Sequence, residues 1–102
     1  MNHYVQFGAG LCGPEGWINF DVSPTLRLQR LPLIGGLFKR IKPTFPATVQ
    51  YGDIVLGLPL RENSCKAVYC SHVLEHLTLD DFRTALANTY RYLAPGGRFR
   101  FV

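Results

Sequence analysis

Tyr4-Val5-Gln6-Phe7-Gly8-Ala9-Gly10-Leu11-Cys12-Gly13-Pro14-Glu15-Gly16-Trp17-Ile18-Asn19-Phe20-Asp21 is the stretch on which the fold turns. Its first four residues are short, apolar and bounded by glycine, the pattern of a buried strand. Trp17 to Phe20 reads as a second strand, closed by Asp21 and the breaker Ser23-Pro24. A glycine loop after a buried strand lets backbone N–H groups come close to a ligand. An acid at the end of the next strand can accept hydrogen bonds from ribose hydroxyls. Together they point to a cofactor that contains a nucleoside.

Gly8, Gly10 and Gly13 spell the dinucleotide fingerprint G-x-G-x-x-G. That fingerprint requires a helix directly after the glycines and an acid about 20 residues further on. Here only nine residues, Gly8 through Gly16, separate Phe7 from Trp17. Pro14 and Gly16 shorten any helix further. An NAD-binding helix does not fit, so the first interstrand connection is expected to be a loop.

Composition sets the outer bounds. The chain has 102 residues, 47% hydrophobic and 18% charged, which describes one globular domain spanning 1–102. The three cysteines, Cys12, Cys65 and Cys70, form no paired spacing and read as reduced thiols of a cytoplasmic protein. Residues 1–10 show no signal peptide, and no apolar run approaches the roughly 20 residues that span a bilayer. The net charge of +4 is unevenly placed. No acid lies between Asp21 and Asp53, while Arg27, Arg30, Lys39, Arg40 and Lys42 do. Such a segment suits a solvated face or an anionic partner, and it leaves nucleic acid open as one.

Further along, Pro32, Gly35, Gly36, Pro43 and Pro46 break the leucine-rich stretch 25–46 into one or two short helices. Thr48 to Tyr51 reads as a third strand ending in Gly52-Asp53. Ala67 to Cys70 reads as a fourth, and Arg98 opens a fifth. The clearest helix runs from Leu79 to Leu93, with Thr78 as its N-cap and Asp80 and Asp81 in its first turn. Phe82, Ala85, Leu86, Tyr90 and Leu93 supply its apolar face. Pro95-Gly96-Gly97 is expected to end it. Strand, helix and strand in that order favour a parallel crossover.

The series Val5-Gln6-Phe7-Gly8-Ala9-Gly10, Gly16-Trp17-Ile18-Asn19-Phe20-Asp21, Gly52-Asp53-Ile54, Ser71-His72-Val73-Leu74-Glu75-His76 and Leu93-Ala94-Pro95-Gly96-Gly97 resembles class I S-adenosylmethionine-dependent methyltransferases of the type 11 branch. The likeness covers nearly the whole chain except 25–46. It implies an α/β, Rossmann-like, three-layer α/β/α fold with a mainly parallel sheet and a loop in place of the first interstrand helix. It also implies that the chain is the N-terminal, cofactor-binding part, ending before the last strands of the family fold. The strand-five edge would then be open to self-association.

The resemblance implies S-adenosylmethionine as cofactor and methyl transfer to an unidentified acceptor. Phe7, Gly8, Ala9 and Gly10 would pass under the methionine part of the cofactor. Asp21, with Val22 beside it, would accept from the ribose hydroxyls. Asp53 would accept from the adenine amino group, with Ile54 packed on the ring. The backbone near Cys70 and Ser71 would hold the amino-acid end. Family members often carry an acid where this chain has Gln6, which cannot supply charge to the methionine ammonium.

His72 is the candidate base for an acceptor that must lose a proton, because its unperturbed pKa lies near neutrality. Residues 72–76 also spell H-x-x-E-H, a zinc-peptidase pattern. That chemistry needs a third ligand, and the acids that follow, Asp80 and Asp81, suit the helix start better; no metal site is expected. The alternative to an enzyme is a truncated or degenerate module that binds the cofactor or a partner without catalysis.

Overall fold

The computed structural model describes residues 3–10, 12–23 and 47–102. They form a five-stranded sheet in the order β3-β2-β1-β4-β5, with every pair of neighbours parallel. The strands are β1 (His3–Phe7), β2 (Ile18–Asp21), β3 (Val49–Tyr51), β4 (Cys65–Cys70) and β5 (Leu93–Phe101). One α-helix, α1 (Leu79–Tyr92), joins β4 to β5 after a 3₁₀ turn at Leu74–His76. This is the Rossmann-like arrangement that the strand pattern predicts. The broken helices expected over 25–46, and the basic patch with them, lie outside the described residues.

β1 and β2 are parallel neighbours joined without a helix among the described residues. Geometry allows this. Nine extended residues reach roughly 30 Å, while five-residue β1 rises only about 16 Å. The loop can therefore return to the start of β2 on its own. It is held in place by Asn19 on β2, whose side-chain amide lies 3.1 Å from the Pro14 carbonyl and 3.0 Å from that of Trp17. Thr48 ties the loop to β3 through a 2.5 Å hydrogen bond from its hydroxyl to the Gly13 carbonyl.

Alternation along the strands sorts the residues onto two faces. Val5 and Phe7 of β1, Phe20 of β2 and Val68 and Cys70 of β4 form the core with Ala85 and Tyr92 of α1. Full burial of a side chain such as Phe7 or Phe20 contributes about 1.5–3 kcal/mol. The opposite face carries Gln6, Tyr69, Arg98 and Arg100 around a second cavity of about 500 Å³ with Trp17 and Cys12. Cys65 and Cys70 are buried and Cys12 is exposed, all three as free thiols.

α1 starts where the sequence places it, with the Thr78 hydroxyl accepting from the Asp81 N–H at 3.2 Å. Its buried face is Ala85, Thr89 and Tyr92. Tyr90, expected in that face, is 81% exposed. The sheet takes the i, i+4, i+7 row starting at Ala85, and Tyr90 lies off that row. The fifth strand also begins earlier than expected, at Leu93, and includes Pro95-Gly96-Gly97. Pairing passes from Cys65↔Leu93 to Ala67↔Arg98, so the intervening residues form a bulge. Gly96 has φ 80°, and a Cβ on Gly97 would sit 2.9 Å from the Ala94 and Cys65 carbonyl oxygens. These glycines shape the strand instead of preceding it. No helix among the described residues is long and apolar enough to cross a membrane.

Candidate functional site

A cavity of about 610 Å³ opens at the carboxyl end of the sheet. Strand order reverses between β1 and β4, and parallel α/β sheets bind ligands in the crevice at such a point. Each wall begins where a strand ends. Phe7 and Gly8 leave β1, Asp21 and Val22 leave β2, and Gly52 to Leu56 follow β3. Ser71, His72 and Val73 leave β4, and Asp81 stands in the first turn of α1.

The glycine loop is built around backbone that other residues rarely adopt. Gly8 has φ 70°, and a Cβ there would overlap the Cγ2 methyl of Val73. A larger residue would displace Val73 from the wall of the crevice. The Gly10 N–H donates to Asp21 Oδ2 at 2.5 Å, and the Ser23 N–H donates to Oδ1 at 2.9 Å. Asp21 thus holds the loop against the end of β2 and still lines the cavity. Ala9 is buried against Val49 with its N–H on the Phe20 carbonyl at 2.9 Å, so it supports the loop from beneath.

Across the cavity, Asp53 starts a tight loop. Its Oδ1 accepts from the Val55 N–H at 2.8 Å and its carbonyl from the Gly57 N–H at 2.9 Å. Ile54 is 4% exposed and forms part of the wall. Gly52 is required here, since a Cβ would meet Phe20 at 2.5 Å and Leu58 at 2.9 Å.

At the end of β4, the Cys70 side chain belongs to the core. Burial, helped by the Glu75 carboxylate, pushes its thiol up to about 11. Cys70 can therefore offer a ligand only its backbone. His72 has φ 55°, its N–H donates to the Val102 carbonyl at 2.8 Å, and its Nδ1 lies 3.3 Å from Glu75 Oε2. That hydrogen bond is the main reason the Glu75 carboxyl is held below its usual range. Residues 72–76 are not an α-helix, so the geometry that H-x-x-E-H requires for two ligands on one helix face is missing. Among the described residues no three His, Cys, Asp or Glu side chains gather as a metal site.

Of the expected site residues, Phe7, Gly8, Asp21, Val22, Asp53, Ile54, Ser71 and His72 line the cavity. Ala9, Gly10 and Cys70 stand behind it. Gln6 points to the other face of the sheet and lines the second cavity, so its lack of charge is not felt here. Asp81 and Leu56 were not foreseen. Asp81 reads in sequence as a helix-start residue, which it also is. Leu56, 83% exposed, carries no signal of its own before the loop folds back.

The charge of the lining follows from this list. Asp21, Asp53 and Asp81 contribute three carboxylates, His72 and His76 two imidazoles, and no Lys or Arg is present among the described lining residues. Such a site favours a cationic ligand and repels a pyrophosphate.

The family described as methyltransferase domain matches residues 36–101. That is well over half of the chain. This protein belongs to the methyltransferase-domain family. No curated protein matches the chain. Among solved structures, the YcgJ protein of Bacillus subtilis is 21% identical, with a TM-score of 0.64 over 98% of this methyltransferase domain and 43% of that chain. An S-adenosylmethionine-dependent methyltransferase from Mesorhizobium loti is 20% identical, with a TM-score of 0.60 over 97% of this chain and 44% of that one. The glycopeptide N-methyltransferase MtfA, solved with S-adenosyl-L-homocysteine, is 19% identical, with a TM-score of 0.59 over 99% of this chain and 42% of that one. At these identities the likeness is one of fold. The methyltransferase domain described here spans less than half the length of each.

Proposed function

We propose that this domain binds S-adenosylmethionine in the cavity at the strand ends and directs its methyl group to an acceptor entering from the open side. The lining charge carries the reading: three carboxylates and no Lys or Arg among the described residues suit a ligand bearing a sulfonium and an ammonium, and oppose NAD. Gly8 lets Val73, which lines the same cavity, pack directly on the loop backbone. Bound there, the cofactor supplies an electrophilic methyl group. The protein's task is in-line positioning more than acid–base chemistry.

In this reading the Gly8-Ala9-Gly10 backbone, with Phe7, runs beneath the methionine part. Asp21 accepts from the ribose hydroxyls beside Val22, and Asp53 accepts from the adenine amino group over Ile54. The backbone at Cys70 and Ser71 holds the amino-acid end. His72 takes a proton from the acceptor where one must leave; its Nδ1 is engaged by Glu75, which leaves Nε2 for that role. Calorimetry with S-adenosylhomocysteine and, separately, with NAD is expected to show binding heat for the first alone. The opposite result would sink the proposal.

The open edge of β5 among the described residues favours a second reading, in which residues 1–102 bind the cofactor, or another copy, without turnover. β5 lies at the end of the sheet, with Phe101 59% exposed, and offers an edge for a further strand. Self-association through that edge predicts dimers in sedimentation experiments. Val102 turns its backbone groups to β4, so those of Phe101 face the open edge. Phe101→Pro, which removes an outward donor, is expected to reduce the dimers, and a strict monomer excludes this route. The free thiols suit a cytoplasmic setting.

A further inference from the structure

The loop that follows β3 is fastened to α1 by two side chains one helical turn apart. The Asn88 amide donates to the Ile54 carbonyl at 2.8 Å and lies 3.3 Å from that of Val55. The Tyr92 hydroxyl accepts from the Leu58 N–H at 2.9 Å and donates to the Leu58 carbonyl at 3.2 Å. Tyr92 is 3% exposed, so this pairing is shielded from water. The loop's own bonds complete the clip: Val55 N–H to Asp53 Oδ1, and Gly57 N–H to the Asp53 carbonyl.

These contacts set the direction of the Asp53 carboxylate. Asn88 fixes the peptide units of Ile54 and Val55. The Val55 N–H that follows then engages Oδ1 of Asp53. With Oδ1 engaged, the carboxylate keeps a second oxygen that can only accept, in a wall it shares with Ile54 and Val55. An acceptor held rigidly at that place selects a purine whose exocyclic group donates. A base bearing an oxo group there would put two acceptors face to face.

We infer that Asn88 and Tyr92 are positioning residues for base selectivity: they brace the Asp53–Leu58 loop so that the site takes adenine over hypoxanthine. Neither residue lines the cavity, and their spacing of four puts them on one side of α1. The inference rests on the cofactor reading above and goes further, because it assigns specificity to residues that do not touch the ligand.

The test compares the affinities of the 102-residue chain for S-adenosylhomocysteine and for its 6-oxo analogue, S-inosylhomocysteine, by calorimetry. The wild-type chain is expected to prefer the adenine ligand by at least about 10-fold, on the order of one lost charge-assisted hydrogen bond. Asn88→Leu and Tyr92→Phe are each expected to lower that ratio by about 3-fold or more, chiefly by weakening the adenine ligand. Thr89→Ala is the control for stability alone. Its hydroxyl donates within the helix to the Ala85 carbonyl at 2.8 Å, not to the loop, so the ratio should stay at the wild-type value. A wild-type ratio with unchanged values in both Asn88→Leu and Tyr92→Phe overturns the bracing role and leaves the cofactor reading standing. A wild-type chain that binds neither ligand overturns both. A fall in the ratio for Thr89→Ala equal to the others would reduce the effect to general destabilisation and also overturn the role.

Discussion

Asp21→Ala is expected to weaken S-adenosylhomocysteine binding by about 10- to 150-fold, the equivalent of roughly 1.5–3 kcal/mol for hydrogen bonds to a charged acceptor. Two roles of its carboxylate concentrate the expected effect in this residue. Its carboxylate lines the cavity and also accepts from the N–H groups of Gly10 and Ser23. Alanine releases the glycine loop and, in the proposed cofactor pose, removes the ribose acceptor with it. Asp21→Asn keeps one accepting oxygen and should fall between the two. Calorimetry on variants whose circular dichroism matches wild type separates ligand loss from unfolding. Wild-type affinity in folded Asp21→Ala would rule out the ribose role.

Asn19→Ala is the largest expected loss of stability, about 2–4 kcal/mol, read as a lowered urea midpoint at constant slope. Asn19 is fully buried, and its amide nitrogen lies 3.1 Å, 3.0 Å and 3.3 Å from the carbonyls of Pro14, Trp17 and Thr48. Those groups belong to the β1–β2 loop and to the entry of β3, so one side chain closes the connection that replaces a helix. Its Oδ1 has no hydrogen-bond partner among the described residues, a cost the wild-type fold carries. The amide has two N–H donors for these three carbonyls, and alanine would remove them together with the Oδ1 cost, which keeps the expected loss below that of three carbonyls each left unpaired. Asn19→Asp should be worse than alanine, since a carboxylate would face carbonyl oxygens without water. A shift in stability under about 0.5 kcal/mol for Asn19→Ala would show that the loop is held by other means.

Most of the sheet was legible because parallel strands buried on both faces are short and apolar, and glycine or an acid marks their ends. Tyr4 to Phe7, Trp17 to Phe20, Thr48 to Tyr51 and Ala67 to Cys70 each fall within a residue or two of the observed strands. The start of β5 was not legible. Pro95-Gly96-Gly97 reads locally as a stop, and only the partner strand shows that it is a bulge inside a paired strand. Tyr90 was misplaced for a related reason. The helical period identifies a row of apolar residues, but the sheet decides which row is covered, and it covers Thr89 and Tyr92 instead.

The site divides in the same way. Gly8, Asp21, Asp53, Ser71 and His72 are readable because they sit at strand ends, where chain direction alone brings them to one edge of a parallel sheet. Asn88 and Tyr92 are not readable: they lie 34 residues from the carbonyls or N–H they hold, and nothing local marks them as loop partners.

By itself, the sequence of Tyr4 to Asp21 excluded a dinucleotide helix, because nine residues containing Pro14 and Gly16 leave no room for one. It also placed a glycine loop and an acid at adjacent strand ends. Tertiary structure alone decided what those residues do together. Folding brings the Asp21 carboxylate onto the Gly10 N–H and gathers it with Asp53 and Asp81 around one cavity. Hydrogen bonds and like charges act over a few ångströms in space, and no count of residues along the chain contains that distance.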